Sequence, residues 1–401
     1  MEHAILKEAQ GLRKQLIEWR RGLHERAEVG FALPRTTAFV KAALKEMDCE
    51  VKPCGKSGIV ALLGQGERTF LLRADMDALP IKEETGLPFA STNGNMHACG
   101  HDMHTAMLLG AAKLLKAREK GLNGRVKLLF QPAEELLKGA KNTVENGVLE
   151  NPKVGGAMMV HTMTAVAMPV GTVVVASAGV SAPAADYFTI QVQGKGCHGS
   201  SPWNGVDACT VGARILLALE EISARELSTQ EPAVLTVGSM VAGQASNVIA
   251  DTATLKGTLR AFDEATRVFV KKRIKEITAA VARAFRAKAS VRYEAGCPTL
   301  FNDEKLSGFT EKSLKKLFGE TAVFSSGSLQ GDVKTKSGGS EDFAYISREV
   351  PSVMVAVAAG EKGKGYEYPL HHPKANFDEE ALSIGAAAYA HTAIEWLKTG
   401  E

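Results

Sequence analysis

Residues 186–194, "DYFTIQVQG", decide how the chain divides. Their partial alternation of apolar and polar side chains marks a strand with one face buried. The segments that follow continue the pattern: a helix over about residues 206–225, strands near 233–243 and 252–262, a long basic-faced helix near 264–286, and a strand in "ASVRYEAG". The order β-α-β-β-α-β is that of a split-βαβ, ferredoxin-like sandwich, a compact unit in its own right. On either side the texture differs. Upstream, "TFLLRADMD", "RVKLLFQPAEE" and "GGAMMVHT" are apolar strands, the last stopping at His161. They alternate with a helical pattern over 35–48 and another in "HTAMLLGAAKLLKARE", which puts Met103, Met107, Gly110 and Leu114 on one face. After Cys297-Pro298 the alternation resumes, with "SVMVAVAAG" as a further buried strand. Such alternation indicates a largely parallel sheet covered on both sides. The expected fold class is therefore α/β: a parallel-sheet domain in two parts, 1–184 and 297–401, with residues 185–296 inserted as a smaller domain.

The chain has 401 residues, 45% of them hydrophobic, enough for two cores. Its 48 basic and 45 acidic residues leave a net charge of +3, with no basic run interleaved with aromatics, so nucleic acid is not an expected partner. The first residues, "MEHAILKEAQGLRKQLIEWRRGL", are amphipathic and charged, unlike a secretory leader. No later stretch is apolar for long enough to span a bilayer. A cytoplasmic protein without membrane partners is the expectation. Six scattered cysteines with no CxxC pair argue against a disulfide framework.

Chemistry collects at the ends of the apolar runs, where open α/β sheets bind ligands. Asp75 and Asp77 follow "TFLL", Glu134 and Glu135 follow "VKLLF", His161 follows "AMMV", and His371-His372 come after "SVMVAVAAG". The densest cluster is "MHACGHDMH", residues 96–104, which is open to three readings: a structural zinc knuckle, a redox thiol, or part of a catalytic metal centre. Each residue also has an ordinary explanation. His161 is compatible with a hydrogen-bonded structural histidine, Glu134 and Glu135 with the start of a helix, and Asp75 and Asp77 with a turn before Pro80. Coincidence accounts for any one of these and poorly for the set. Thiolate, imidazole and carboxylate together suit zinc, manganese or cobalt. Of two adjacent glutamates, one can bind metal while the other serves as general base.

The blocks "MHACGHDMHTAMLLGAAKLL", "LLFQPAEE", "GKGCHGSSPWNGVDA", "ASNVIADTATLKGTLRAFD", "GGSEDFAY" and "LHHPKANFDEEAL" resemble, in matching order, the dimetal aminoacylase and carboxypeptidase superfamily. The nearest branch is the amidohydrolases that include hippurate, auxin-conjugate and aminobenzoyl-glutamate hydrolases. The resemblance implies two divalent metal ions per subunit, bound by Cys99, His101, Glu135, His161 and His371, with Cys99 bridging. Glu135 and His161 are expected to complete one part of the site and His371 another. Glu134 is the implied general base. His198, in the inserted domain, is the implied oxyanion-stabilising residue acting across a homodimer. Asn247, Arg260 and Gly339 are implied to line the substrate site, Arg260 by its fit to a carboxylate. Within "MHACGHDMH", His97, Asp102 and His104 take supporting roles.

Two departures bear on the substrate. Trp203 stands where many relatives have a histidine, and "HTMTAVAMPVG" lacks the bulky aromatic or second proline often found after the ligand histidine. The expected activity is metal-dependent cleavage of the amide of an N-acyl or N-aroyl amino acid, releasing a carboxylic acid and a free amino acid. The alternatives are a di- or tripeptidase or carboxypeptidase using the same centre, and a non-catalytic small-molecule binder on the same fold.

Overall fold

A computed structural model of the chain describes residues 2–329 and 339–399. It resolves into two compact units, one running up to Ser181 and resuming at Phe301, the other formed by Ala182–Leu300 together with residues 339–341.

The larger unit is built on an eight-stranded sheet. From edge to edge its strands are Val51–Cys54, Gly58–Gly64, Arg125–Gln131, Thr69–Asp75, Gly156–Met163, Ser352–Ala358, Val173–Val175 and Val323–Ser325. The four central strands are mutually parallel. Antiparallel pairing enters at Gly58–Gly64 on one side and at Val173–Val175 on the other. Thr69–Asp75 is buried at every position, which explains why it lacks alternation: both faces of this strand are covered. The helix His101–Lys116 is buried nearly all round and not on one face alone, since it packs against the sheet as well as the helices Arg13–His24 and Ala381–Thr399.

In the smaller unit the order is strand, helix, strand, strand, helix, strand: Ala184–Gln193, Ala208–Glu221, Ala233–Ala242, Thr252–Ala261, Glu264–Ala284 and Lys288–Cys297. A two-stranded pair, Cys197–His198 with Val248–Ile249, lies outside this frame. All pairing in the four-stranded sheet is antiparallel, with Ala233–Ala242 and Lys288–Cys297 at the edges. Asp207 and Asp263 cap the two helices by accepting from the amides of Cys209 and Thr266. Phe188, Ile190, Val192, Val211, Ile215, Leu255 and Ile274 form its own core. Among the described residues, no helix is long and apolar enough to cross a membrane.

Candidate metal centre

Three local features deliver the candidate ligands. Gly100 has φ +84°, a left-handed conformation, and caps the helix that starts at His101. A Cβ there would lie 2.4 Å from Thr162 Oγ1, so glycine alone fits between Cys99 and His101 without displacement. Ala133, at φ +55°, turns the chain after Gln131-Pro132, and Glu134 and Glu135 follow in a turn; the next helix begins only at Gly139. The helix-start explanation of the two acids is thereby removed. His371, at φ +66°, is held by its amide on the Ala98 carbonyl at 3.0 Å. His161 lies inside the strand Gly156–Met163, which runs two residues past the end expected from sequence.

The structure brings donor atoms of Cys99, His101 and His161 within 4.8 Å of one another, and likewise those of Cys99, Glu135 and His371. Glu135 is thus grouped with His371, and His161 with His101. Cys99 is common to both groups. Glu134 joins His101 and Glu135 in a third, its Oε2 3.9 Å from His101 Nε2. Neighbouring His372 turns elsewhere: it stacks on Tyr368 at 4.4 Å, and its Nδ1 accepts the Lys374 amide.

The hydrogen bonds fit a metal centre. His101 Nδ1 donates to the Asp77 carbonyl at 2.8 Å and His161 Nδ1 to the Thr162 carbonyl at 2.7 Å, which fixes each tautomer with Nε2 directed to the cluster. His101 Nε2 and Glu135 Oε1 are buried with no hydrogen-bond partner. They lie 3.9 Å apart, with His371 Nε2 3.4 Å from the same carboxylate oxygen. Buried polar atoms that converge without bonding one another are what a divalent ion would satisfy. The group Asp75, His101 and His104 behaves differently. Asp75 accepts from His104 Nδ1 at 2.6 Å and from Arg73 at 2.8 Å, while His104 Nε2 accepts the Thr162 amide. The donor atoms of Asp75 and His104 are already used, so this pair braces the centre.

Electrostatics agree. Burial pushes the Cys99 thiol up, but His101, His161 and His371 outweigh it and bring it down to about 6. His371 is raised to about 10 by Cys99 and Glu135 against the effect of burial. Burial opposes a charge on His101, yet Asp75, Asp77 and Cys99 raise it well above its usual value. The neighbouring thiolate and carboxylates thus favour the charged form of His101 and of His371.

Sequence reasoning missed the buried scaffold beneath. Arg73, fully buried, donates to Asp75, to Gln131 at 3.0 Å and to Asp342 at 2.9 Å, and Gln131 also donates to Asp342. Arg20 and His24, from "RRGLH", both bond Asp102 at 2.8 Å. A buried Arg beside a carboxylate strand end was the available signal.

In the smaller unit, His198 is exposed, its Nδ1 taken by the Ser200 hydroxyl at 2.8 Å, and its strand pairs with Val248, next to Asn247. Arg260 reaches Ser340 Oγ at 2.6 Å and Tyr187 OH at 3.3 Å. Gly339 is exposed beside Ser340, and Trp203 is 72% exposed.

The profile of Peptidase family M20/M25/M40 matches residues 71–395. An N-acetyl-L-cysteine deacetylase of Bacillus subtilis is 39% identical over 375 residues, covering 92% of this chain and 85% of its own. A hippurate hydrolase of Campylobacter jejuni is 34% identical over 401 residues, covering 98% of this chain and 100% of its own. A crystal structure of a dinuclear metal-binding M20 peptidase from Bacillus subtilis superposes with a TM-score of 0.78 at 31% identity, covering 97% of this chain and 99% of that one.

Proposed function

The chain belongs to peptidase family M20/M25/M40 and is a metal-dependent amidohydrolase; from that premise we propose that it hydrolyses N-acyl or N-aroyl amino acids to a carboxylic acid and a free amino acid. The observation that carries the reading is the convergence of Cys99, His101, Glu135, His161 and His371, with Glu134 beside them. In this reading two divalent ions are held, one by Cys99, His101 and His161 and the other by Cys99, Glu135 and His371, with the thiolate common to both. Zinc, manganese and cobalt suit that donor set.

Bound there, such ions supply Lewis acidity and make water a stronger acid. The protein's residues do the rest. Glu134 accepts a proton from the attacking water and returns it to the leaving amine nitrogen. The nearly complete burial of Glu134 keeps bulk water from competing for that proton. Arg260 binds the substrate carboxylate, with Asn247 and the Gly339 backbone beside it, and His198 donates to the carbonyl oxygen as it gains charge.

The division 1–184, 185–296 and 297–401 is read as a two-part catalytic domain carrying a lid and dimerisation domain. A homodimer through the inserted domain is supported by its open edge strand Ala233–Ala242, where Val234 and Val241 are exposed. The exposure of His198 and Trp203 suits side chains that complete the partner's site.

A panel of N-acetyl amino acids, hippurate and dipeptides, run with added zinc, manganese or cobalt, tests the reaction. Turnover of acylated amino acids that exceeds turnover of free dipeptides is expected. The reverse order establishes the peptidase, and metal-free protein with no turnover establishes the binder.

A further inference from the structure

A cavity of about 800 Å³ in the larger unit is lined chiefly by the helix Glu304–Phe318 and the last turn of Ala381–Thr399. Gly155 and Pro351 also line it, and they immediately precede the central strands Gly156–Met163 and Ser352–Ala358. The cavity therefore lies at the amino ends of the parallel strands, whereas His161, Glu134 and Glu135 lie toward or beyond the carboxyl ends of theirs. A seven-residue strand such as Ser352–Ala358 spans roughly 20 Å, so the two places are separate. The volume suits a small molecule, for which pockets run to about 300–1,000 Å³.

The lining has a definite chemistry. Lys305, Lys312 and Lys316 stand at i, i+7 and i+11, within about 40° of one another around the helix, in a row about 16 Å long. Neighbouring Lys315 pairs with Glu311 at 2.8 Å and Lys398 with Glu395 at 2.6 Å, but among the described residues these three pair with no carboxylate. Of the acids in the lining, Glu395 is thus engaged and Asp303 caps the helix by accepting the Leu306 amide at 2.8 Å, which leaves Glu304 against three lysines. Phe309 and Trp396 supply apolar surface. Trp396 is fixed by Phe70, with ring centroids 4.8 Å apart, and by the Arg68 guanidinium 4.4 Å from its ring. Ser313, also in the lining, is buried, and its Oγ has no hydrogen-bond partner, a costly state for a hydroxyl. Gly308 lies inside the helix, where glycine is less stable than alanine. No positive φ calls for it, and a Cβ there would meet nothing within 4 Å. Neither backbone nor packing accounts for this glycine, whereas its missing side chain keeps the cavity open.

We propose that the cavity is a binding site, separate from the metal centre, for an organic anion with an apolar body. The body lies against Phe309 and Trp396, the anionic group meets the lysine row, and the Ser313 hydroxyl donates to the ligand. The test is calorimetric titration of the metal-loaded full chain with naphthalene-2-sulfonate and, for comparison, with uncharged 2-naphthol. One sulfonate site is expected, with the naphthol at least tenfold weaker. Lys312→Gln combined with Lys316→Gln should weaken sulfonate binding roughly 10–100-fold, the worth of lost charged hydrogen bonds. Gly308→Leu, which favours the helix and fills the open space, should abolish binding while kcat and KM for hydrolysis stay within about twofold. Absence of sulfonate binding to the wild type overturns the proposal, as does equal binding of the naphthol. Binding that survives Gly308→Leu unchanged puts the probe elsewhere and overturns it too. If Gly308→Leu instead alters the oligomeric state in sedimentation, a second copy of the chain covers the cavity and the proposal fails. The lysine pair is exposed and decides the matter should Gly308→Leu not fold: unchanged affinity there overturns the proposal.

Discussion

Gly100→Ala tests whether the turn between Cys99 and His101 sets the centre. Two costs follow from the structure. A non-glycine residue at φ +84° costs about 1–2 kcal/mol. The added methyl would also sit 2.4 Å from Thr162 Oγ1 and 3.0 Å from Phe377, so the neighbours must move, at about 1–3 kcal/mol. The total is about 3 kcal/mol, which in a unit of this size corresponds to a melting temperature lower by roughly 3–10 °C. The displacement also travels. Thr162 Oγ1 is 2.9 Å from His104 Nε2, and His104 holds Asp75, so the strain reaches the bracing of His101. Gly86 supplies the control: its φ is +72°, and a Cβ there meets nothing within 4 Å. Gly86→Ala carries the backbone cost alone, so the difference between the variants isolates the clash. Thermal unfolding of metal-free protein and a metal titration are the assays. If Gly100→Ala matches Gly86→Ala in both melting temperature and metal affinity, the reasoning is wrong.

Four further outcomes are expected. Glu134→Ala should keep its metal by elemental analysis while kcat falls about 10²–10⁴-fold, the usual worth of a positioned base; turnover at the wild-type rate removes the base assignment. Metal uptake at neutral pH should release protons in a pH-stat, because His101 and His371 are raised and must lose their protons to bind. Affinity should accordingly rise with pH, and fall more steeply below about 6 as the Cys99 thiolate is protonated; uptake with no proton release contradicts this. Arg260→Ala should raise KM roughly 10–100-fold with little change in kcat, the worth of a charged hydrogen bond; an effect on kcat alone refutes a carboxylate-binding role. Mixed dimers of His198→Ala and Glu134→Ala subunits should regain activity if His198 acts across the dimer, and no recovery places it elsewhere.

What could be read without coordinates follows from what kind of information a pattern holds. The strands and helices of the smaller unit were legible because half-buried strands alternate and helices recur, as in "DYFTIQVQG", and the candidate ligands because a chemical set recurs at strand ends. Tertiary partners left no local trace. Asp342 lies 269 residues from Arg73, and nothing in either neighbourhood announces their pairing. Asp77 resembles a turn residue until the amides of Glu134 and Glu135 are seen on its oxygens. The two glutamates invited a helix-start reading because the left-handed Ala133 is an alanine, a residue that gives no warning of that conformation. His161 looked like a strand terminus because "HTM" is polar at its first two positions, yet Ser352–Ala358 pairs with the strand through Met163.

The helix that begins at His101 is among the most enclosed parts of the larger unit, and its burial comes from sheet and helices alone. Chelation is therefore expected to leave this helix folded, which circular dichroism of metal-free protein checks; loss of helix on chelation would show that ion binding and folding are coupled.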